Sequence, residues 1–378
     1  MPLVVPFADL TLEQRRIISE SVGNRNSYWI DGPPGSGKTT ISLHLANNFV
    51  GEQVVSPLVL IYNNSLLGYL KSSFEELGLS DNVTISTKDK FFWALGREHG
   101  IRPINNRKYE DKYNFLLDSL EKKELIKTYD IAILDEIQDF HKKEWDILKR
   151  LVTRFIVLGD FDQGIYSTDL RKVDLEGTCK PKLLSVIFRF GKKIASLLNP
   201  FNNNDKNLHE KVDVVEDIQP LILDVNKNDV HKKIKDLIHA RSTDGGRIAI
   251  ISIGKNSLKY LSKYLTDNNV THVHAPNPSD FQNHDFSENT PVLITSASAK
   301  GLEFETVIAF GFDDDEKAVY GFRTYGGLNE NIYVCLSRAK QYLYLIRTEN
   351  SIPEIINLQI DDSASKEDTR AENHNDFY

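Results

Sequence analysis

Cysteine is nearly absent. Cys179 and Cys335 are the only two in 378 residues. Thiols so distant in sequence cannot frame a disulfide-stapled fold or a cysteine-based metal site, and they suit a reducing cytoplasm. Cys335 lies in an apolar run that reads as a strand, where it is a buried small residue. There is no run of about 18 apolar residues, so no membrane-spanning helix is expected. Met1 to Pro6 has neither a basic stretch nor a long apolar core, and does not read as a signal peptide. Excess positive charge is missing too. Lys and Arg number 46 against 54 Asp and Glu, a formal net charge of −8. Such a balance argues against tight nonspecific binding to DNA, although a basic groove depends on the local field rather than the total. Part of the imbalance is local: residues 361–378 carry six acids against Lys366 and Arg370, half of the net charge. Residues 351–378 therefore read as an acidic tail, disordered from 360. The His272-Val273-His274 spacing is explained by alternation in a strand rather than by a metal.

What is present is ordinary in bulk. Hydrophobic residues make up 40% and charged residues 26%, as in soluble globular proteins, and the length suits about two domains. The information lies in motifs. Residues 32–39 read Gly32-Pro33-Pro34-Gly35-Ser36-Gly37-Lys38-Thr39, which fits G-x4-G-K-[ST] without a gap. Ser27 to Ile30 before it is short, apolar and β-prone, and Thr40 to Ala46 after it has helical spacing. This is the strand–loop–helix setting the motif requires, and an ordinary glycine-rich turn needs no such setting. Backbone N–H groups of the loop and the positive end of the following helix suit a β-phosphate. Lys38 is expected to reach the β- and γ-phosphates, and Thr39 to place its hydroxyl on Mg²⁺.

Tyr129 to Leu134 is an apolar strand pattern ending on Asp135-Glu136. A run so apolar is packed on both faces, as central parallel strands are. Ligands in such sheets sit beyond the carboxyl ends of the strands, where these two acids emerge. Asp135 is expected to hold Mg²⁺ and Glu136 to polarise the attacking water. A helix-capping acidic pair is the plainer reading of Asp-Glu alone, but not beside a phosphate loop.

Asp135-Glu136-Ile137-Gln138-Asp139 resembles the Asp-Glu-x-Gln-Asp box of superfamily 1A helicases of the UvrD/Rep/PcrA type, and the resemblance runs in order from about residue 7 to 347. Leu10 to Gln14 is similar to the Q-motif, Leu58 to Asn64 to motif Ia, and Val83 to Thr87 to motif Ib. Gly159 to Tyr166 is very close to motif III. Leu183 to Arg189 resembles motif IV, with Phe188-Arg189 for the usual Tyr-Arg. Val292 to Phe304 resembles motif V and Tyr333 to Lys340 motif VI. Each alone is weak; eight in order are specific.

The resemblance implies an α/β fold of two RecA-like P-loop NTPase domains with mainly parallel sheets and ATP in the interdomain cleft. The first would span 1–180, with a small helical insert at 93–128, and the second 181–350. ATP and Mg²⁺ are the implied cofactors. The implied catalytic residues are Lys38, Asp135, Glu136, Gln163, Arg189 and Arg338, with Thr39 and Asp135 on the metal. ATP would be bound by Gln14 at the adenine edge, by residues 32–40 (Gly32, Pro33, Pro34, Gly35, Ser36, Gly37, Lys38, Thr39, Thr40), by Phe188 stacking on the base, by Gly301, and by Glu303 at the ribose. Both arginines would point at the γ-phosphate, where a planar permanent charge suits a loose transition state. Nucleic acid would be met by Asn63, Thr87, Tyr166, Thr295 and Ser298.

Two departures qualify that reading. Residues 93–128 and 190–291 leave no room for the large 1B and 2B insertions of the resembled enzymes. Asp111 to Leu120 in the first interval reads as one amphipathic helix. After Ile165-Tyr166 the family's Trp-Arg-Gly run is replaced by Ser167-Thr168-Asp169, which either removes the base stacking that inchworm translocation uses or moves it to Tyr166, Tyr62 or Phe91. The expected function is a cytoplasmic ATPase motor on single-stranded nucleic acid, DNA rather than RNA. The rival is a regulatory ATPase that switches a protein partner, such as a nuclease or an antiviral defence component, with no membrane role.

Overall fold

The computed structural model describes residues 4–51, 57–62, 64–78, 83–102, 108–160, 169–202, 207–214, 217–277, 280, 289–358 and 365–368. The chain divides into two compact units, Met1–Ser185 and Val186–Tyr378.

The first unit alternates strand and helix. Helix α1 (Leu12–Val22) precedes β1 (Tyr28–Asp31), α2 (Lys38–Gly51), β2 (Leu58–Ile61), α3 (Asn64–Glu76), β3 (Thr84–Thr87), α4 (Lys88–Glu98), α5 (Tyr109–Glu121), β4 (Tyr129–Leu134), α6 (Lys142–Leu151), β5 (Val152–Gly159) and β6 (Lys180–Leu183). The strands form one sheet in the order β3-β2-β4-β5-β1-β6, with every pairing parallel. Side chains alternate faces along a strand, and here both faces are buried. Trp29, Leu58, Leu60, Ala132, Leu134, Phe155 and Val157 pack with α4, α5 and α6 on one side. Ile30, Val59, Ile61, Ile131, Ile133, Ile156 and Leu158 pack with α1, α2 and α3 on the other. This is the reason these strands read as continuous apolar runs rather than alternating ones.

Strand β6 belongs to this first unit, although residues from 181 onward were expected to open the second. Its backbone pairs with β1, giving that strand a neighbour on each side. The amphipathic helix expected within 93–128 is α5, which buries Tyr113, Leu116, Leu117 and Leu120. Helices α4, α5 and α6 are tied by a buried ion pair. Lys88 Nζ donates to both carboxylate oxygens of Glu144 at 2.9 Å, and the Tyr113 hydroxyl also donates to that carboxylate. A buried charge is tolerated because each carboxylate oxygen is bonded; removal of either partner would leave the other uncompensated.

The second unit is also a parallel sheet. Its strands are β7 (Leu221–Asp224), β8 (Ile248–Ser252), β9 (Val273–Ala275), β10 (Val292–Thr295), β11 (Phe304–Ala309), β12 (Ala339–Arg347) and β13 (Ser365–Asp368), in the order β13-β7-β12-β11-β8-β10-β9. Ile248, Ile250, Leu293, Ile308, Tyr344 and Ile346 form one face of its core. Strand β13 lies inside the segment expected to be an unstructured acidic tail and runs parallel beside β7.

One expectation fails outright. Cys335 is in a helix, Leu328–Leu336, rather than a strand. Asn331 to Leu336 are all buried, and a helix buried all round presents the same unbroken apolar run as a central strand. Both thiols are buried and free, and burial pushes each up, Cys179 to about 12. No helix among the described residues is long and apolar enough to cross a membrane.

Candidate nucleotide and nucleic-acid sites

In the sheet of the first unit β5 lies between β4 and β1. The ends of these three strands place the phosphate loop, the acidic pair and Gly159-Asp160 side by side. The loop closes on itself: Ser36 Oγ donates to Pro33 O at 2.8 Å, and Lys38 Nζ to Gly32 O at 2.6 Å and Pro33 O at 3.1 Å. Gly37 is required for two reasons. Its φ is +86°, and a Cβ there would lie 2.4 Å from Gln14 Nε2. Helix α2 begins at Lys38, so its unpaired N–H groups face the loop.

The loop meets the acidic strand through a single bond. Thr39 Oγ1 donates to Asp135 Oδ2 at 3.0 Å, across 96 residues of chain. Asp135 is 1% exposed. Burial, then the neighbouring Glu136 carboxylate, pushes its carboxyl up to about 7, with Lys38 offsetting only part of this. A hydroxyl and a carboxylate are hard oxygen donors, and a carboxylate short of positive charge suits a divalent cation. No cluster of three acidic, histidine or cysteine side chains that could hold a metal unaided occurs among the described residues. The Thr39 hydroxyl and the Asp135 carboxylate fit Mg²⁺, which takes one or two protein ligands and completes its shell with phosphate and water.

Glu136 has φ 54° and ψ 49°, one of two non-glycine residues with positive φ among those described. A left-handed non-glycine costs on the order of 1–3 kcal/mol and persists where surrounding bonds hold it. Gln138, which sequence reasoning quoted within the motif but gave no role, supplies them. Its Nε2 donates to Glu136 Oε2 at 2.5 Å, and its Oε1 accepts the Asp160 N–H at 3.1 Å. Gly159 must be glycine for this contact, because a Cβ would lie 2.4 Å from Gln138 Oε1. Gln138 thus links the acidic pair to Asp160 at the end of β5. The signal for it was the Gln of the Asp-Glu-x-Gln-Asp box itself.

In the second unit the expected residues fall into two groups. Arg189 Nε and Nη2 both donate to Glu303 Oε1, at 2.8 and 2.6 Å, and Nη1 donates to Ser337 O at 3.2 Å. Arg338 is buried; its guanidinium donates to Val334 O at 3.1 Å, Ser337 Oγ at 2.8 Å and Leu302 O at 3.4 Å. Burial alone would raise the Glu303 carboxyl, but Arg189, then Lys340 and Arg338, hold it at about 2. Gly301 adopts φ +82° just before this cluster, and Phe188 is half-buried.

The second group is Thr295 and Ser298, both buried. Thr295 caps the short helix Ser296–Ala299, accepting the Ser298 N–H at 3.2 Å, and its hydroxyl lies 3.0 Å from Ser298 Oγ and 3.1 Å from Pro276 O. Thr87 is its counterpart in the first unit, 2% exposed and capping α4 through the Lys90 N–H at 3.5 Å. Of the described nucleic-acid candidates, Thr87 and Thr295 are therefore helix caps and Ser298 lies within the short helix, all three buried. Phe91 is corrected as a stacking candidate: it is 8% exposed and lies in the core against Phe92 and Tyr129. Tyr62 is half-buried, with Lys88 Nζ 5.5 Å from its ring centre. Asn63, Gln163 and Tyr166 lie outside the described residues.

Residues 14–169 match a family model described as an AAA domain. No curated protein matches the chain. Among solved structures it is similar to the C-terminal domain of a possible DNA helicase from Lactobacillus plantarum WCFS1, at 16% identity over 47% of this chain and 98% of that one, with a TM-score of 0.36. It is also similar to an arterivirus nonstructural protein 10, a helicase, at 13% identity over 89% of this chain and 61% of that one, with a TM-score of 0.44. The chain thus spans less than two thirds of the viral protein's length.

Proposed function

We propose, for a chain that is superfamily 1 helicase-like, a Mg²⁺-dependent nucleoside triphosphatase motor that hydrolyses ATP and acts on single-stranded nucleic acid, DNA rather than RNA. The observation that carries this reading is the Thr39–Asp135 bond, which brings a complete phosphate loop against the acidic strand end. Thr39 and Asp135 would hold the cation, which would supply positive charge to offset that of the phosphates. Loop N–H groups and Lys38 orient the phosphates. Glu136 takes a proton from the attacking water as its oxygen bonds to the γ-phosphorus and the bond to the β–γ bridging oxygen breaks. Gln138 positions that carboxylate. The resemblance gives Arg189 and Arg338 the role of offsetting charge on the transferring phosphoryl group. A cytoplasmic setting suits two free buried thiols.

One observation favours a second reading, a regulatory ATPase that switches a protein partner such as a nuclease or a defence component. The hydroxyls of Thr87, Thr295 and Ser298 are engaged inside their own units. A paired experiment separates the two: ATPase rate with and without single-stranded DNA or RNA at low salt, and strand separation by fluorescence on the same preparation. The motor reading expects stimulation by DNA and poor unwinding, since no residues are available for the duplex-gripping insertions. No stimulation by either polymer would leave the partner-switching reading.

A further inference from the structure

We propose that the outer face of the helix Lys255–Asp267 binds single-stranded nucleic acid, with its lysines on the phosphates and Tyr260 on a base. This surface lies beyond the motif residues. It extends the nucleic-acid reading above and rests on it.

The helix Lys255–Asp267 follows β8 in the second unit. Leu258, Leu261 and Leu265 bury one side of it in the core. The other side carries Lys255, Lys259 and Lys263, four residues apart and all exposed. Beside that row runs a second at the same spacing, Asn256, Tyr260 and Tyr264. Tyr260 is 65% exposed. Tyr264 is half-buried, its ring 5.5 Å from that of His231 on the helix Val230–Ser242.

Three features set this face apart from an ordinary solvated one. The two helices hold six lysines against Asp236 and Asp267, in a chain of net charge −8. Lys259 and Lys263 form no ion pair among the described residues, so like charges one turn apart repel without relief. Tyr260 gives the core nothing. A polyanion offsets the first two features, and an unstacked base covers the third. The face also continues from the motif residues of its own unit. The Thr295 and Ser298 hydroxyls donate to Pro276 O at 3.1 and 3.2 Å, and Lys255 Nζ donates to the adjoining Asn277 Oδ1 at 2.7 Å. A bilayer does not fit, because an interfacial helix needs its apolar side and here that side is in the core. A duplex keeps its bases stacked and offers Tyr260 none.

The test uses the full chain and the anisotropy of a labelled single-stranded oligonucleotide over a salt series. Lys259→Gln combined with Lys263→Gln should weaken binding at low salt. It should also flatten the slope of log affinity against log salt by about 1.4, at roughly 0.7 for each phosphate contact on a single strand. Tyr260→Ala should weaken binding roughly five- to hundredfold and leave that slope unchanged, and Tyr260→Phe should restore it. None of these variants should lower the melting temperature or change the ATPase rate without oligonucleotide. Wild-type affinity and slope in the lysine variant would overturn the proposal. Tyr260→Ala binding like the wild type would overturn it too; if polyaspartate is then held as tightly as the oligonucleotide, the occupant is an acidic polypeptide. ATPase stimulation by an oligonucleotide that all the variants bind normally would sink this surface alone. The expected losses without any ATPase stimulation would sink the motor reading and leave the surface standing. A wild type that binds no oligonucleotide at low salt overturns both.

Discussion

The acidic residue at the phosphate-loop end of the first unit and the one in the arginine cluster of the second stand in opposite electrostatic positions. Asp135 is fully buried with a second carboxylate beside it, and its carboxyl is pushed up to about 7. Glu303 is also penalised by burial, yet Arg189, Lys340 and Arg338 hold it at about 2. One site has surplus negative charge, and the other has its arginines ranged around one carboxylate. The first is short of positive charge, and the second has its negative charge already paired. The comparison teaches that a shifted carboxyl reports what a site is short of: the same side chain chemistry moves in either direction according to its neighbours.

The largest expected effect lies in the first unit. Lys38→Ala should take turnover to background at saturating Mg-ATP, a loss on the order of 10³-fold or more. Turnover near the wild-type rate would break the assignment of the phosphate site. Glu136→Gln should keep nucleotide binding, followed with a fluorescent analogue, and lose hydrolysis toward the ~10⁴-fold upper range for a missing general base. Loss of binding instead would make Glu136 a metal ligand or a structural group. In the second unit Arg338→Ala should lower kcat on the order of 10³-fold with little change in KM, as an arginine acting on the transition state does. If only the melting temperature falls, its bonds to Val334, Leu302 and Ser337 are its whole role, and the second half of the comparison goes with it.

Smaller effects sharpen the contrast between the paired threonine caps. Thr295→Val breaks three contacts and Thr87→Val one long one. Urea unfolding should show a cost of about 2 kcal/mol for the first and under about 1 kcal/mol for the second. Equal costs would mean the caps are not distinguished by their packing. The smallest effect is the acid response of Glu303. Its folded pKa is below its ordinary value, so its contribution to stability is present above about pH 4.5 and lost as pH falls toward 2. The difference in melting temperature between wild type and Glu303→Gln should therefore close over that range and stay constant above it. A difference independent of pH would show that the Arg189 contact contributes packing rather than charge.

The phosphate loop, the acidic strand end and the alternating α/β order were legible because each is written in a few consecutive residues. A glycine at a left-handed position, a helix start and an apolar strand depend on neighbours within one or two turns. Cys335 was misread for the complementary reason. An unbroken apolar run states that a segment is buried, and leaves strand or helix to be decided by what packs around it. Phe91 was offered as a stacking surface when its ring belongs to the core, since helical phase alone cannot say which face the neighbouring helices cover.

The sequence by itself determined that a nucleoside triphosphate loop and a paired acid occur on two central strands of a parallel sheet. The tertiary structure decided how the side chains are engaged. It joined Thr39 to Asp135 over 96 residues and Arg189 to Glu303 over 114. It gave Gln138 its bridge from Glu136 to Asp160, made Thr87 and Thr295 buried helix caps, and set the Gln14 amide against the Ser36 carbonyl of the loop. The physical reason is range. Backbone conformation is set by residues a few positions apart, whereas a hydrogen bond or a shifted carboxyl depends on which distant elements the sheet order brings within about 3 Å.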